Sequence, residues 1–224
     1  MNAAFTVLRT VAMLLACALV PVQASDTLRD QEIASCLPGE IVNWGDQQDR
    51  AVASRALTFV YLHDSAPNWF DADQVFNAIR LAALTWSQCG ITAQVASSDV
   101  IKPFPADAIK IQWSDVESRR NFGLANLGNK TLSLGPAAFN LLRTRNPAYD
   151  TRQTLQMVIS HEMGHFFGLM AHSKRCVDVS SYYDNGKGEQ CLIRGGGKLP
   201  PGVEFRSVLP TACDIQRCRM VNGF

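Results

Sequence analysis

Apolar runs separated by turn-forming clusters divide the chain from about residue 52 onward into alternating strands and helices. Within Arg55–His63, the stretch Ala56-Leu57-Thr58-Phe59-Val60-Tyr61-Leu62 is dense in β-formers and predicts a buried strand. Asp71 or Asp73 can cap a helix running to about Gln88, with Val75, Ile79, Leu81, Ala82 and Trp86 at helical spacing and Gly90 as its stop. Ile91–Ala96 predicts a second strand, and Ala108–Trp113, which alternates cleanly, a third. Thr131–Leu134 predicts a short further strand after the Gly128-Asn129 turn. A long helix starts near Thr151, with Asp150 as N-cap, and its apolar residues Leu155, Met157, Val158 and Ile159 place it against a core. From residue 173 to about 210 the chain is rich in Gly, Pro and polar residues, which predicts irregular structure. No internal repeat or low-complexity segment interrupts this order.

The long helix carries the chemistry. Three of the four histidines lie in His161-Glu162-Met163-Gly164-His165-Phe166-Phe167-Gly168-Leu169-Met170-Ala171-His172. Residues four apart share a helix face, so His161 and His165 can reach one metal at roughly 2.0–2.1 Å, the zinc–nitrogen distance. Glu162 projects from a neighbouring direction, suited to holding and deprotonating a water on that metal. Two buried imidazoles without a partner would be costly, a cost that a bound ion removes. Gly168 suits the helix end, and the turn it makes returns His172 toward the metal.

This stretch resembles the metzincin zinc peptidases, whose pattern is His-Glu-x-x-His-x-x-Gly-x-x-His. Gly168-Leu169 and His172-Ser173 look most like the matrixin branch. Here three residues rather than two separate Gly168 from His172, about 3.3–3.6 Å more contour at most. His172 is the expected third ligand, with Asp178 or Asp184 as alternatives. The resemblance implies an α/β (α+β), zincin/metzincin-like fold. Its parts would be a twisted, mixed five-stranded sheet, two main helices and an irregular C-terminal subdomain ending in a helix that opens at Thr211–Arg217. It further implies that Phe122–Gly128 forms an antiparallel edge strand. Backbone at Leu124, Ala125 and Asn126 would pair there with an extended protein or peptide substrate. Ser207-Val208-Leu209-Pro210 falls where the family places its Met-turn, with Leu209 in place of the methionine, and Leu209 and Pro210 are expected to wall a side-chain pocket. Met220 lies too late for that turn.

Composition fills in the setting. Residues 1–24 read as a signal peptide, with Arg9, an apolar Val11–Val20 and cleavage after Ala24; this predicts a secreted or periplasmic protein. Leu14-Leu15-Ala16-Cys17 is a poorer match to a lipoprotein anchoring site at Cys17. Residues 25–51 are polar and read as an N-terminal extension to a catalytic domain over 52–224. Six cysteines then remain, implying up to three disulfides. Cys176–Cys191 and Cys36–Cys89 are the expected pairs, while Cys213 and Cys218 pair with each other only if their helix is broken. Ser35-Cys36-Leu37-Pro38-Gly39 lacks the matrixin latency motif, so Cys36 is expected in a disulfide. A net charge of +1 without basic runs argues against nucleic acid or membrane partners, and a monomer is expected. One remaining histidine, His63, cannot build a second zinc site, so one catalytic Zn2+ is expected. Tyr183-Asp184-Asn185-Gly186 is a turn with weaker potential for Ca2+.

The activity implied is zinc-dependent endopeptidase, with Glu162 as general base. Two alternatives remain at this level: an inactive secreted zinc-binding or adhesion module, and a zinc amidase acting on cell-wall peptides.

Overall fold

The computed structural model describes residues 27–100, 103–199 and 204–224. The expected leader, Cys17 and the cleavage point after Ala24 lie outside the described residues. Strands β1 (Ala56–Tyr61), β2 (Thr92–Ser97), β3 (Ile109–Trp113), β4 (Gly123–Asn126) and β5 (Thr131–Leu134) form one mixed sheet in the order β2-β1-β3-β5-β4. All neighbours are parallel except β4 and β5, which run antiparallel with Gly123 opposite Leu134. β4 is therefore an edge strand.

Helices α2 (Ala72–Trp86) and α4 (Thr151–Phe166) pack on each other and on the sheet. Asp71 caps α2 by accepting the Asp73 and Gln74 amides, and Asp150 caps α4 through Arg152 and Gln153. α2 ends two residues early, in a 3-10 turn Ser87–Cys89 that Gly90 closes with a positive φ. Buried Phe59, Ile111, Leu132 and Leu134 from the sheet meet Val75, Ile79 and Trp86 from α2 and Leu155, Ile159 and Met163 from α4. The indole Nε1 of Trp86 donates to the Ser160 carbonyl at 2.8 Å. A Cβ on Gly164 would stand 2.8 Å from that indole, so α2 and α4 approach this closely only because residue 164 lacks a side chain.

Two helices had no counterpart in the sequence reading. α3 (Pro136–Arg145) precedes α4, and α1 (Leu28–Ala34) lies inside the polar N-terminal extension, with a Thr27–Asp30 capping box. The extension is fastened to the irregular region after His172. Glu32 and Glu40 pair with Arg175, and the Arg194 guanidinium grips both oxygens of Glu40 at 2.7 Å. α5 (Ala212–Asn222) closes the chain behind the Thr211–Asp214 capping box.

Three disulfides join Cys36–Cys213, Cys89–Cys218 and Cys176–Cys191. The last was expected, but Cys36–Cys89 is corrected. Cys213 and Cys218 sit five residues apart on an unbroken helix, about 140° around its axis, so they face different partners. Three disulfides are compatible with export. No helix among the described residues is long and apolar enough to cross a membrane.

Two stability predictions follow from this packing. Gly164→Ala should overpack the indole of Trp86 and cost about 1–3 kcal/mol in denaturant unfolding. Hydrogen bonds from Arg194 outweigh burial and hold Glu40 down at about 2, against an ordinary 4.5. Its contribution to stability is thus complete above about pH 4.5 and lost as pH falls toward 2. The melting temperature should drop more steeply across that window in the native protein than in Glu40→Gln.

Candidate metal centre

α4 presents Thr154, Met157, Val158, His161 and Glu162 as one stripe facing a cleft of about 780 Å3. The turn that follows brings the third histidine back. The Leu169 amide donates to the Gly164 carbonyl and the Gly168 amide to His165, with Gly168 at φ +96°, a Schellman closure that ends the helix. His161, His165 and His172 then each offer a ring nitrogen within 4.8 Å of the others.

The orientation of all three rings is fixed from behind. Nδ1 of His161 donates to the Val179 carbonyl at 2.8 Å, and Nδ1 of His165 to the Leu169 carbonyl at 2.7 Å. Nδ1 of His172 donates to the Asp46 carboxylate at 2.6 Å. With each Nδ1 turned to an oxygen, Nε2 is left as the nitrogen of each ring that can meet a metal. Burial pushes His161 well below its ordinary value and takes His165 down to about 4, helped by the neighbouring imidazoles. Both stay neutral at ordinary pH. Three pre-oriented imidazoles with an open side toward the cleft are a donor set that suits a single Zn2+.

Glu162 lies beside the triad. Its Oε2 accepts the Ala125 amide of β4 at 2.8 Å, while burial drives its carboxyl up to about 7. β4 can come this close because a Cβ on Gly123 would stand 2.6 Å from Val158 and 2.7 Å from Glu162. The Gly135 amide donates to the Phe122 carbonyl, which sets the phase of the antiparallel ladder. Leu124 and Asn126 therefore turn their backbone toward β5, and Gly123 and Ala125 turn theirs to the open edge. Of the three residues expected to pair with substrate, only Ala125 faces outward, and its amide is already held by Glu162.

Other expectations are corrected. Asp178 is not brought to the triad: its oxygens accept the Ser173 and Thr211 hydroxyls, each at 2.6 Å. Burial and the adjacent Asp214 raise Asp178 to about 8. Asp184 and Asn185 commit their side-chain oxygens to the amides of Gly186, Lys187 and Glu189, and no metal-ligand cluster forms at that turn among the described residues. Leu209 and Pro210 do not line the cleft. Pro210 borders a separate depression with Ile33 and Ala34, and the cleft wall is supplied by Leu141 and Leu142 of α3 with Met157 and Val158. Cys36 is in a disulfide as expected, with Cys213 as its partner.

Residues that the sequence did not single out support the site. Asp214 accepts the Val179 amide at 2.9 Å and the Ser180 hydroxyl at 2.5 Å, steadying the carbonyl that holds His161. The Thr211-x-x-Asp214 pattern was a legible signal for that helix start. Tyr182 packs 4.8 Å from the His172 ring at the cleft edge. His63 lies elsewhere, its Nδ1 2.6 Å from the Tyr61 hydroxyl.

No protein-family model matches the chain, and neither does any curated protein. Among solved structures it is similar to a chain in the GM1-bound form of the ECX AB5 holotoxin. That likeness has 13% identity and a TM-score of 0.42, over 81% of this chain and 86% of that one.

The donor set predicts one Zn2+ or Co2+ per chain in calorimetric titration. His172→Ala should weaken binding by about two orders of magnitude or more, whereas Asp178→Asn should keep the wild-type stoichiometry.

Proposed function

We propose that this protein is an exported zinc-dependent endopeptidase. The observation that carries the reading is Glu162, part-buried between the histidine triad and the outer edge strand, its Oε2 accepting the Ala125 amide of β4. A site that held metal for structure alone has no use for a carboxylate in that place. The antiparallel β4 edge over a long helix also agrees with the metzincin resemblance of the His161–His172 stretch.

Zinc bound here would supply Lewis acidity to a substrate carbonyl and lower the pKa of a water. His161, His165 and His172 would hold it, leaving the cleft side open. Glu162 takes a proton from the attacking water as the carbon–oxygen bond forms, then delivers it to the departing nitrogen as the carbon–nitrogen bond breaks. The outward backbone of Gly123 and of the Ala125 carbonyl would align an extended chain as an added strand. Leu141, Leu142, Met157 and Val158 offer an apolar pocket beside the histidines, fitted to a large apolar side chain next to the scissile bond.

Glu162→Gln should keep stoichiometric zinc and lose about 10²–10⁴-fold in turnover of an unfolded protein substrate. Retained turnover removes the role given to Glu162. Hydrolysis of cell-wall peptides with no cleavage of unfolded protein would point to an amidase instead.

A further inference from the structure

We propose that the N-terminal segment 42–50 is a permanent part of the metal centre, with Asp46 the positioning residue that aims His172 at the ion. The proposal rests on reading the triad as a metal site.

The loop that carries His172 is shaped by this segment along its whole length. The Met170 and Ala171 amides donate to Asp49 Oδ1 at 2.8 and 3.0 Å, and the His172 amide donates to Asp46 Oδ1 at 3.0 Å. Two carboxylates thus capture three successive amides, the stretch in which the one-residue-longer spacing is accommodated. The Trp44 amide donates to the His172 carbonyl, the Lys174 amide to the Val42 carbonyl and the Arg50 amide to the Gly168 carbonyl. A Cβ on Gly168 would meet the Arg50 carbonyl oxygen at 2.4 Å, so the turn lies directly against the segment. Arg217 of α5 clamps both oxygens of Asp49 at 2.7 Å and donates to the Ala171 carbonyl at 2.6 Å.

Asp46 completes this arrangement. One oxygen takes the His172 amide and the other its Nδ1–H at 2.6 Å, giving a carboxylate–imidazole pair behind the metal position. A segment that builds the site cannot be a prosegment whose removal releases it. Asparagine at this position puts an NH2 donor where one of the two carboxylate oxygens stands, so either the His172 amide or its Nδ1–H faces a donor.

The test compares the purified full chain with Asp46→Ala and Asp46→Asn. It uses chelator competition for Zn2+, the Co2+ absorption spectrum and the melting temperature of metal-free protein. Both variants should bind Zn2+ about 10–100-fold more weakly and show an altered Co2+ spectrum. Their metal-free melting should stay close to that of wild type. Unchanged affinity and spectrum would overturn the proposal. So would a fall in affinity that only tracks loss of the metal-free fold. Wild-type protein that takes up neither metal would instead sink the underlying zinc reading.

Discussion

Each imidazole of the triad has its Nδ1–H held by an oxygen from a different stretch of chain: Leu169 in the helix-ending turn, Val179 after it, and Asp46 before the sheet begins. An imidazole that rotates or exchanges tautomers binds a metal poorly, because its lone pair points elsewhere for part of the time. These three contacts remove that freedom, and much of the surrounding structure exists to keep the three oxygens in place. Asp214 holds Val179 through the start of α5, and Arg217 on the next turns of that helix holds Asp49. The α5 helix therefore braces the chain that carries or holds two of the three histidines.

The sheet contributes a second constraint, one of clearance. Glu162 meets Ala125 only because Gly123 lets β4 settle onto α4, and α4 meets α2 only because Gly164 makes room for Trp86. Two missing side chains, one on each side of the helix, fix its height between core and cleft.

Much of this is legible in the amino-acid sequence. Elements with strong local signals appear where expected: Asp71 and Asp150 cap α2 and α4, and the alternation of Ile109–Trp113 marks β3. The spacing of His161, His165 and His172 identified residues that do converge. Features that depend on distant partners were not legible. Asp46 and Asp49 look like ordinary surface carboxylates in a polar stretch, and nothing near them in sequence marks the loop 121 to 126 residues away that they hold. Pairing Cys36 with Cys89 followed chain order, whereas both cysteines reach α5 instead. The helix α3 has only weak local cues, Pro136 at its first turn and the Leu141-Leu142 pair, and no side-chain N-cap marks its start. The expectation that Leu209 and Pro210 wall the cleft came from the metzincin resemblance, and it did not carry over to a chain whose α3 lines the cleft.

Cys36–Cys213 and Cys89–Cys218 carry a temporal implication. They stitch the earliest described part of the polypeptide and the end of α2 to its closing helix, the same helix that steadies His161 and the His172 loop. A nascent chain that has not yet made α5 lacks these supports, and a thiol-reducing compartment would leave the helix unstitched. Such a chain can possess the whole His161–His172 stretch and still lack an ordered histidine cluster. Ordering of the histidine cluster is thereby coupled to synthesis of α5 and to oxidation.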